Sequence, residues 1–225
     1  MNKSYQEHFD QSCSLREDYW KQVGELHTDV LSHLINPAFM GGAHWPSFRQ
    51  AFLTVTASDL TIIASDGLSD PFEEADDTGD EEEVNGFELE FYVETPEAIA
   101  NVKESWQFDL VYQMSQFAAS HGNIAGLLEQ YGGLLTTELY DIRIPAPFIN
   151  EQERVGIFLG LEGGRVKSSL MLSLSEIKLV NIKLLTLTEL QYVAENGPEG
   201  RARLSQLLNE QGNPTYSFLD RPSVI

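Results

Sequence analysis

The sequence predicts an α+β fold: a mixed, largely antiparallel sheet packed with helices. Three observations carry this. Strand and helix patterns are segregated, in the order helix, three strands, helices, four strands, helices, without the regular alternation that builds a parallel sheet. In residues 87–93, Phe87, Leu89, Phe91 and Val93 alternate with Glu88, Glu90 and Tyr92, the period of a strand with one buried and one wet face. Residues 51–56 and 60–65 are apolar and β-branched on either side of Ala57-Ser58-Asp59, which reads as a hairpin turn.

From the N-terminus, Tyr19, Val23, Leu26, Val30 and Leu34 recur every three or four positions and predict a helix over residues 15–34. Asn36-Pro37 closes it, because the residue before proline is driven out of the α region. After the hairpin, residues 66–84 form a loop and residues 87–93 the third strand. Thr95-Pro96 supplies an N-cap and a first-turn proline for a helix whose stripe is Ile99, Val102, Trp106, Leu110, Met114 and Phe117, ending near His121-Gly122. A short helix over 124–131 stops at Gly132-Gly133. Strand patterns follow at 135–142, 155–161, 169–174 and 177–185, with a hairpin turn at Glu162-Gly163-Gly164-Arg165. Thr186 and Glu189 have capping-box spacing and open a helix to about residue 195. Pro198 starts a last helix with Leu204, Leu207 and Leu208, which Gly212 ends. No repeat or Pro/Ser-rich linker divides the chain. It is expected to form one domain, 1–225, with an N-terminal helical segment (1–34), an acidic loop inserted within one sheet (72–84) and a tail without clear period (213–225).

Charge narrows the function. Against 14 Lys and Arg stand 35 Asp and Glu, a formal charge of −21. Such a field repels nucleic acid and anionic membranes and attracts basic partners. It is also uneven, with −17 on residues 1–100 and −4 on residues 101–225. No apolar run approaches the roughly 20 residues needed to span a bilayer, and residues 1–10 do not read as a signal peptide. Cys13 is the only cysteine, so no internal disulfide forms, and a reduced, cytoplasmic setting is the simplest expectation.

Motifs for chemistry are missing. The histidines, His8, His27, His33, His44 and His121, make no HxxxH pair and lack cysteines to complete a zinc set. A GxSxG elbow is absent, and Gly156, Gly160, Gly163 and Gly164 match neither phosphate-loop nor dinucleotide spacing. No catalytic residue, cofactor or metal is therefore expected. Glu73, Glu74, Asp76, Asp77, Asp80, Glu81, Glu82 and Glu83 are eight acids without an intervening base, and they depart from the EF-hand pattern. They read either as a solvated loop or as a surface for a basic partner. A metal-assisted enzyme using these carboxylates is a further alternative.

Three segments go beyond composition: Trp45-Pro46-Ser47-Phe48-Arg49-Gln50, the run Ala64-Ser65-Asp66-Gly67-Leu68-Ser69-Asp70-Pro71-Phe72, and Gly86-Phe87-Glu88-Leu89-Glu90-Phe91. Together with Thr137-Glu138-Leu139-Tyr140-Asp141, Val180-Asn181-Ile182-Lys183-Leu184-Leu185 and Asp220-Arg221-Pro222-Ser223-Val224, they resemble the suppressor of fused domain family, closest to its small bacterial-type members. The likeness spans residue 35 to the C-terminus. It implies protein binding. The animal member is a negative regulator that clamps an extended peptide of a transcription factor with the help of a second domain, which the resemblance does not cover here. Small bacterial relatives are regarded as immunity proteins that neutralise toxins, nucleases among them. The expected partner is a basic protein or an extended peptide, with no nucleic acid and no membrane; a peptide-capturing scaffold for a non-toxin client is the alternative. Asp66, Asp70 and Phe72 are placed at a binding rim with the eight acids, Phe72 as an apolar anchor. Alternatively, the two aspartates cap turn amides. Trp45 and Trp106 read as core residues.

Overall fold

The computed structural model describes residues 4–29, 31–32, 39, 41–73 and 84–225. Helix α1 covers Tyr5–Val23 and begins with a capping box in which Ser4 and Glu7 exchange side-chain and backbone bonds. It ends eleven residues before the expected Leu34. A Cβ on Gly24 would lie 2.5 Å from the Thr56 carbonyl oxygen, so the chain passes against a strand there and cannot stay helical. The apolar residues read as one helical stripe are thus divided. Tyr19 and Val23 are on α1, Leu26 is on β1 (Glu25–Leu26), and Val30, Leu34 and the Asn36-Pro37 stop lie outside the described residues.

Strands β2 (Leu31–Ser32), β3 (Ala51–Ala57), β4 (Leu60–Asp66) and β5 (Leu89–Thr95) follow, with the hairpin turn where the sequence puts it. Helices α2 (Trp106–His121) and α3 (Ile124–Gln130) lead to β6 (Leu135–Leu139), β7 (Val155–Leu159), β8 (Ser169–Met171) and β9 (Glu176–Leu184), and then to α4 (Leu187–Gln211). The strands form one sheet in the order β1-β3-β4-β5-β9-β7-β6, with β2 also on β3 and β8 also on β9. The β5–β9 pair is parallel and the other pairs are antiparallel. The α+β fold with a mixed sheet is therefore as the sequence predicts, and β4 and β5, on either side of the acidic segment, are direct neighbours.

Helices cover both faces. On one, α2 and α3 close over Phe52, Ile63, Phe91, Val93, Ile157 and Ile182. On the other, α1 packs Tyr19 and Trp20 against Val55, Ile62 and Tyr92, while α4 packs Val193, Leu204 and Leu208 against Phe158. Burying each such aliphatic side chain contributes roughly 1.5–3 kcal/mol. This second layer corrects the reading of β5: its polar face is not wet. Glu90, Tyr92 and Glu94 are all buried, because α1 and the 161–168 segment lie over them.

Other expectations shift locally. Thr95 does not cap α2. It stays in β5 and accepts a bond from the Glu97 amide, while Ser105 caps α2 at Phe108. Phe117, expected on the buried stripe, is 41% exposed. Glu162-Gly163-Gly164-Arg165 is no hairpin turn, since β7 and β8 both pair with β9 rather than with each other. The capping box at Thr186 and Glu189 forms, and a break at Gly197 (φ 56°, ψ −134°) separates α4 into the two expected helical pieces. The tail, without a period in sequence, docks on the sheet: Tyr216 bridges Glu94 in parallel and Arg221 is buried. Among the described residues no helix is long and apolar enough to cross a membrane.

Candidate functional site

Two neighbourhoods stand out: the turn after β4, which carries Asp66, Asp70 and Phe72, and the outer edge of β6.

The first is built around the turn after β4. At Gly67 (φ 150°) a Cβ would meet the Arg49 carbonyl oxygen at 2.4 Å, so only glycine fits. The buried Glu90 carboxylate then gathers the turn, accepting from the amides of Gly67 and Ser69 (both 2.9 Å) and the hydroxyls of Ser65 (2.5 Å) and Ser69 (2.7 Å). Arg16, 1% exposed on α1, donates to Asp66 (2.7 Å), Ser69 (3.1 Å) and Asp70. Arg49 pairs with Asp66 through its side chain and backbone carbonyl, and Ser47 donates to Asp70 (2.7 Å). Asn85 closes the arrangement. Its Nδ2 donates to Ser12 and the Ser69 carbonyl, and its Oδ1 accepts the amides of Leu174 and Ser175.

Burial opposes ionisation of Asp66, but Arg16 and Arg49 outweigh it and hold the carboxyl below its ordinary range. Burial pushes Glu90 upward, with Arg16 pulling against it. The nearby Cys13 thiol is raised to about 11 by burial, so it stays protonated and is no nucleophile at neutral pH.

Asp66 and Asp70 therefore face inward. Their carboxylates hold α1 and the 45–50 segment to the turn, and neither carboxylate sits on an outer rim; their main partners are guanidinium groups, not turn amides. Phe72 does reach the surface, 40% exposed with its ring edge-on to Phe87 at 5.7 Å between centroids. Glu73 follows, its amide bonded to the Pro46 carbonyl. Nearby, exposed Phe48 stacks on exposed Phe39. Glu74, Asp76, Asp77, Asp80, Glu81, Glu82 and Glu83 lie outside the described residues. Trp45 and Trp106 are buried as expected. Among the described residues, no group of three or more His, Cys, Asp or Glu is placed to hold a metal.

The second neighbourhood is β6, the last strand in the sheet order, which among the described residues pairs only with β7. A groove of about 520 Å³ is lined by Thr137, Leu139 and Tyr140 at the end of β6 and by Gln113, Gln116 and Phe117 of α2. Tyr140, 63% exposed, stands at one end, and the groove's charges are the pair Arg154 and Glu138. Sequence reading passed over Phe117 because its spacing fitted the buried stripe. Tyr140 lay inside a quoted motif, but nothing in its spacing marked it as exposed.

No family model and no curated protein matches the sequence. Among solved structures, a chain from the crystal structure of the Sufu–Fu complex is similar over 95% of this chain and 92% of that one, with a TM-score of 0.57 and 12% identity. The protein thus has a Sufu-like α+β fold, and at that identity the likeness speaks for the fold alone.

Proposed function

We propose that this protein is a non-enzymatic binding module of the suppressor of fused type, which captures an extended segment of a partner protein on the free edge of β6. The observation that carries this reading is the groove itself. An edge strand presents unpaired amide and carbonyl groups, and an extended peptide laid against it continues the sheet. Phe117 and Tyr140 beside that edge offer apolar contact, and Glu138 and Arg154 offer polar contact of both signs. The similar fold comes from a chain crystallised in a complex, which agrees with a binding role. The module would act in the cytoplasm, where Cys13 stays reduced. Peptides selected from a random library against the wild-type protein test the reading. They should protect the amides of residues 135–139 from hydrogen exchange and lose at least about tenfold in affinity for the Phe117→Ser, Tyr140→Ser double variant. Equal binding to both proteins counts against it.

A second reading, an immunity protein that neutralises a basic toxin such as a nuclease, is favoured by the exposed Phe72 leading into Glu73 and the seven acids that follow. An acidic surface can cover a basic active site, with electrostatic steering speeding the encounter. Co-expression with a toxin encoded beside the gene tests it. Survival that depends on Phe72 and the acids supports the reading, and killing in the presence of the protein argues against it.

A further inference from the structure

On the face of the sheet covered by α1 and the tail, four polar oxygens are buried without a hydrogen-bond partner. They are both carboxylate oxygens of Glu94, Oδ1 of Asn181 and Oγ1 of Thr215, and all three residues are fully buried. They belong to one place. Asn181 on β9 is in register with Tyr92, two residues before Glu94 on β5. Its Nδ2 donates to the Thr215 carbonyl (3.1 Å), and the Ser217 amide donates to the Glu94 carbonyl (2.8 Å), which holds the tail on top. The 161–168 segment closes the remaining side. A Cβ on Gly164 would come within 2.5 Å of Thr215 Oγ1 and 2.6 Å of Glu94 Oε1, so the two oxygens face one another across that glycine. The amides of Arg165 and Val166 point toward the carboxylate and ease its burial, without completing a bond of good geometry to either oxygen, and the Asn181 side chain also interacts with the Tyr92 hydroxyl.

The chemistry of this set is one-sided. Three of the four atoms are acceptors when the carboxylate is ionised, and the Thr215 hydroxyl brings a single hydrogen. Leaving buried acceptors unmet is costly, so the set calls for something positive or rich in donors. Oxygen-only ligands suit a hard cation. One carboxylate among neutral oxygens matches a single positive charge, whereas calcium sites bring a larger oxygen shell and several carboxylates. The net charge of −21 raises the local concentration of any cation.

We propose that Glu94, Asn181 and Thr215, closed over by Gly164, form an internal site for a monovalent cation such as Na⁺ or K⁺. The ion ties the tail and the 161–168 segment to the central strands β5 and β9. It is independent of peptide capture at β6, which is at the far edge of the sheet. Around the site lie Tyr92 on β5, Tyr19 on α1, Glu162 and Arg165 in the covering segment and Tyr216 in the tail.

Thermal unfolding of the full chain in NaCl, KCl and choline chloride, at equal ionic strength and about pH 8, tests the proposal. The midpoint in Na⁺ or K⁺ should exceed that in choline by about 3 °C or more. Glu94→Gln, which keeps the size and removes the charge, should abolish the gap, and Thr215→Val should shrink it. Superimposable curves in the three salts would overturn the proposal in favour of ordered water or a protonated carboxyl. A gap that survives in Glu94→Gln would overturn it by placing the ion elsewhere. If that variant does not fold, an unchanged gap in Thr215→Val does the same.

Discussion

Arg16 ties α1 to the turn after β4 through two buried carboxylates. Its partners Asp66 and Asp70 are 50 and 54 positions away in the chain, which is why sequence reading singled out both aspartates and not the arginine. No local pattern encodes an ion pair of that span. Breaking a buried pair by removing one partner costs about 3–5 kcal/mol, because a charge is left uncompensated. Arg16→Met should therefore lower the unfolding free energy by about that much in a denaturant titration, and Arg49→Met by clearly less, since Arg49 is partly exposed and Arg16 remains. Equal losses would show that Arg16 has no special role. Two other buried groups make stability depend on pH in opposite directions. Glu94, raised to about 7, keeps its proton in the fold where an unfolded glutamate at about 4.3 has lost it. Its contribution is full below about pH 4.3 and is lost as pH rises to about 7. Lys183 is lowered to about 7 by burial and by Arg221, against the pull of Glu189. Its penalty is full below about pH 7 and is relieved toward about pH 10.4, where the unfolded amine also loses its proton. Measured in choline, Glu94→Gln should flatten the acid limb and Lys183→Met the alkaline limb, each by an amount of order 3 kcal/mol. Variants that run parallel to wild type across both limbs would contradict the assignment. Asp66 and Glu189, held low by arginines, act in the opposite sense at lower pH: their stabilisation is lost as pH falls through their folded pKa values.

At the scale of elements, the legible parts were those whose signal is local. The β3–β4 hairpin, the glycine stop of α2, the short α3 and the capping box of α4 all follow from residues within a few positions of one another. What could not be read was which second layer would cover a polar face. Glu88, Glu90 and Tyr92 alternate as a wet face should, and only the arrival of α1 from 70 or more residues upstream makes Glu90 an interior ligand for turn amides. The same ambiguity affected α1, whose apolar spacing continues at Leu26, a residue of β1 and not of the helix. Glycine positions separate backbone strain from close approach. Gly197 has a conformation reserved for glycine, but an added Cβ would meet nothing within 4 Å. Gly197→Ala should therefore cost about 1–3 kcal/mol, the strain alone. Gly67→Ala adds a clash with the Arg49 backbone, so it should cost more and also displace the 67–70 turn. Amide shifts at Ser69 and Asp70 in an NMR spectrum would show that displacement, and spectra unchanged outside residue 67 would refute it.

Across the whole molecule, the strands of the two halves of the chain separate within the sheet. Residues 1–100 supply β1 to β5 and residues 101–225 supply β6 to β9, and the sheet order keeps the two groups of strands on opposite sides of the β5–β9 junction. The α1 and Phe72 side is built from the half of the sequence with a net −17, and the β6 groove from the half with a net −4. Two kinds of association should then respond differently to salt. A basic peptide steered to the acidic side meets a field that is screened beyond about 8–10 Å at physiological ionic strength, so its association rate should fall about tenfold or more on going from low to high salt. A peptide added to β6 gains mainly backbone hydrogen bonds and apolar contact, so its affinity should change less than about threefold over the same range. Phe117→Ser with Tyr140→Ser should weaken only the second association. Neutralising Glu73 and the acids after it should weaken only the first. If both peptides lost affinity together in either variant, the two surfaces would form a single site, and the extended segment would have to run from the acidic side to the sheet edge.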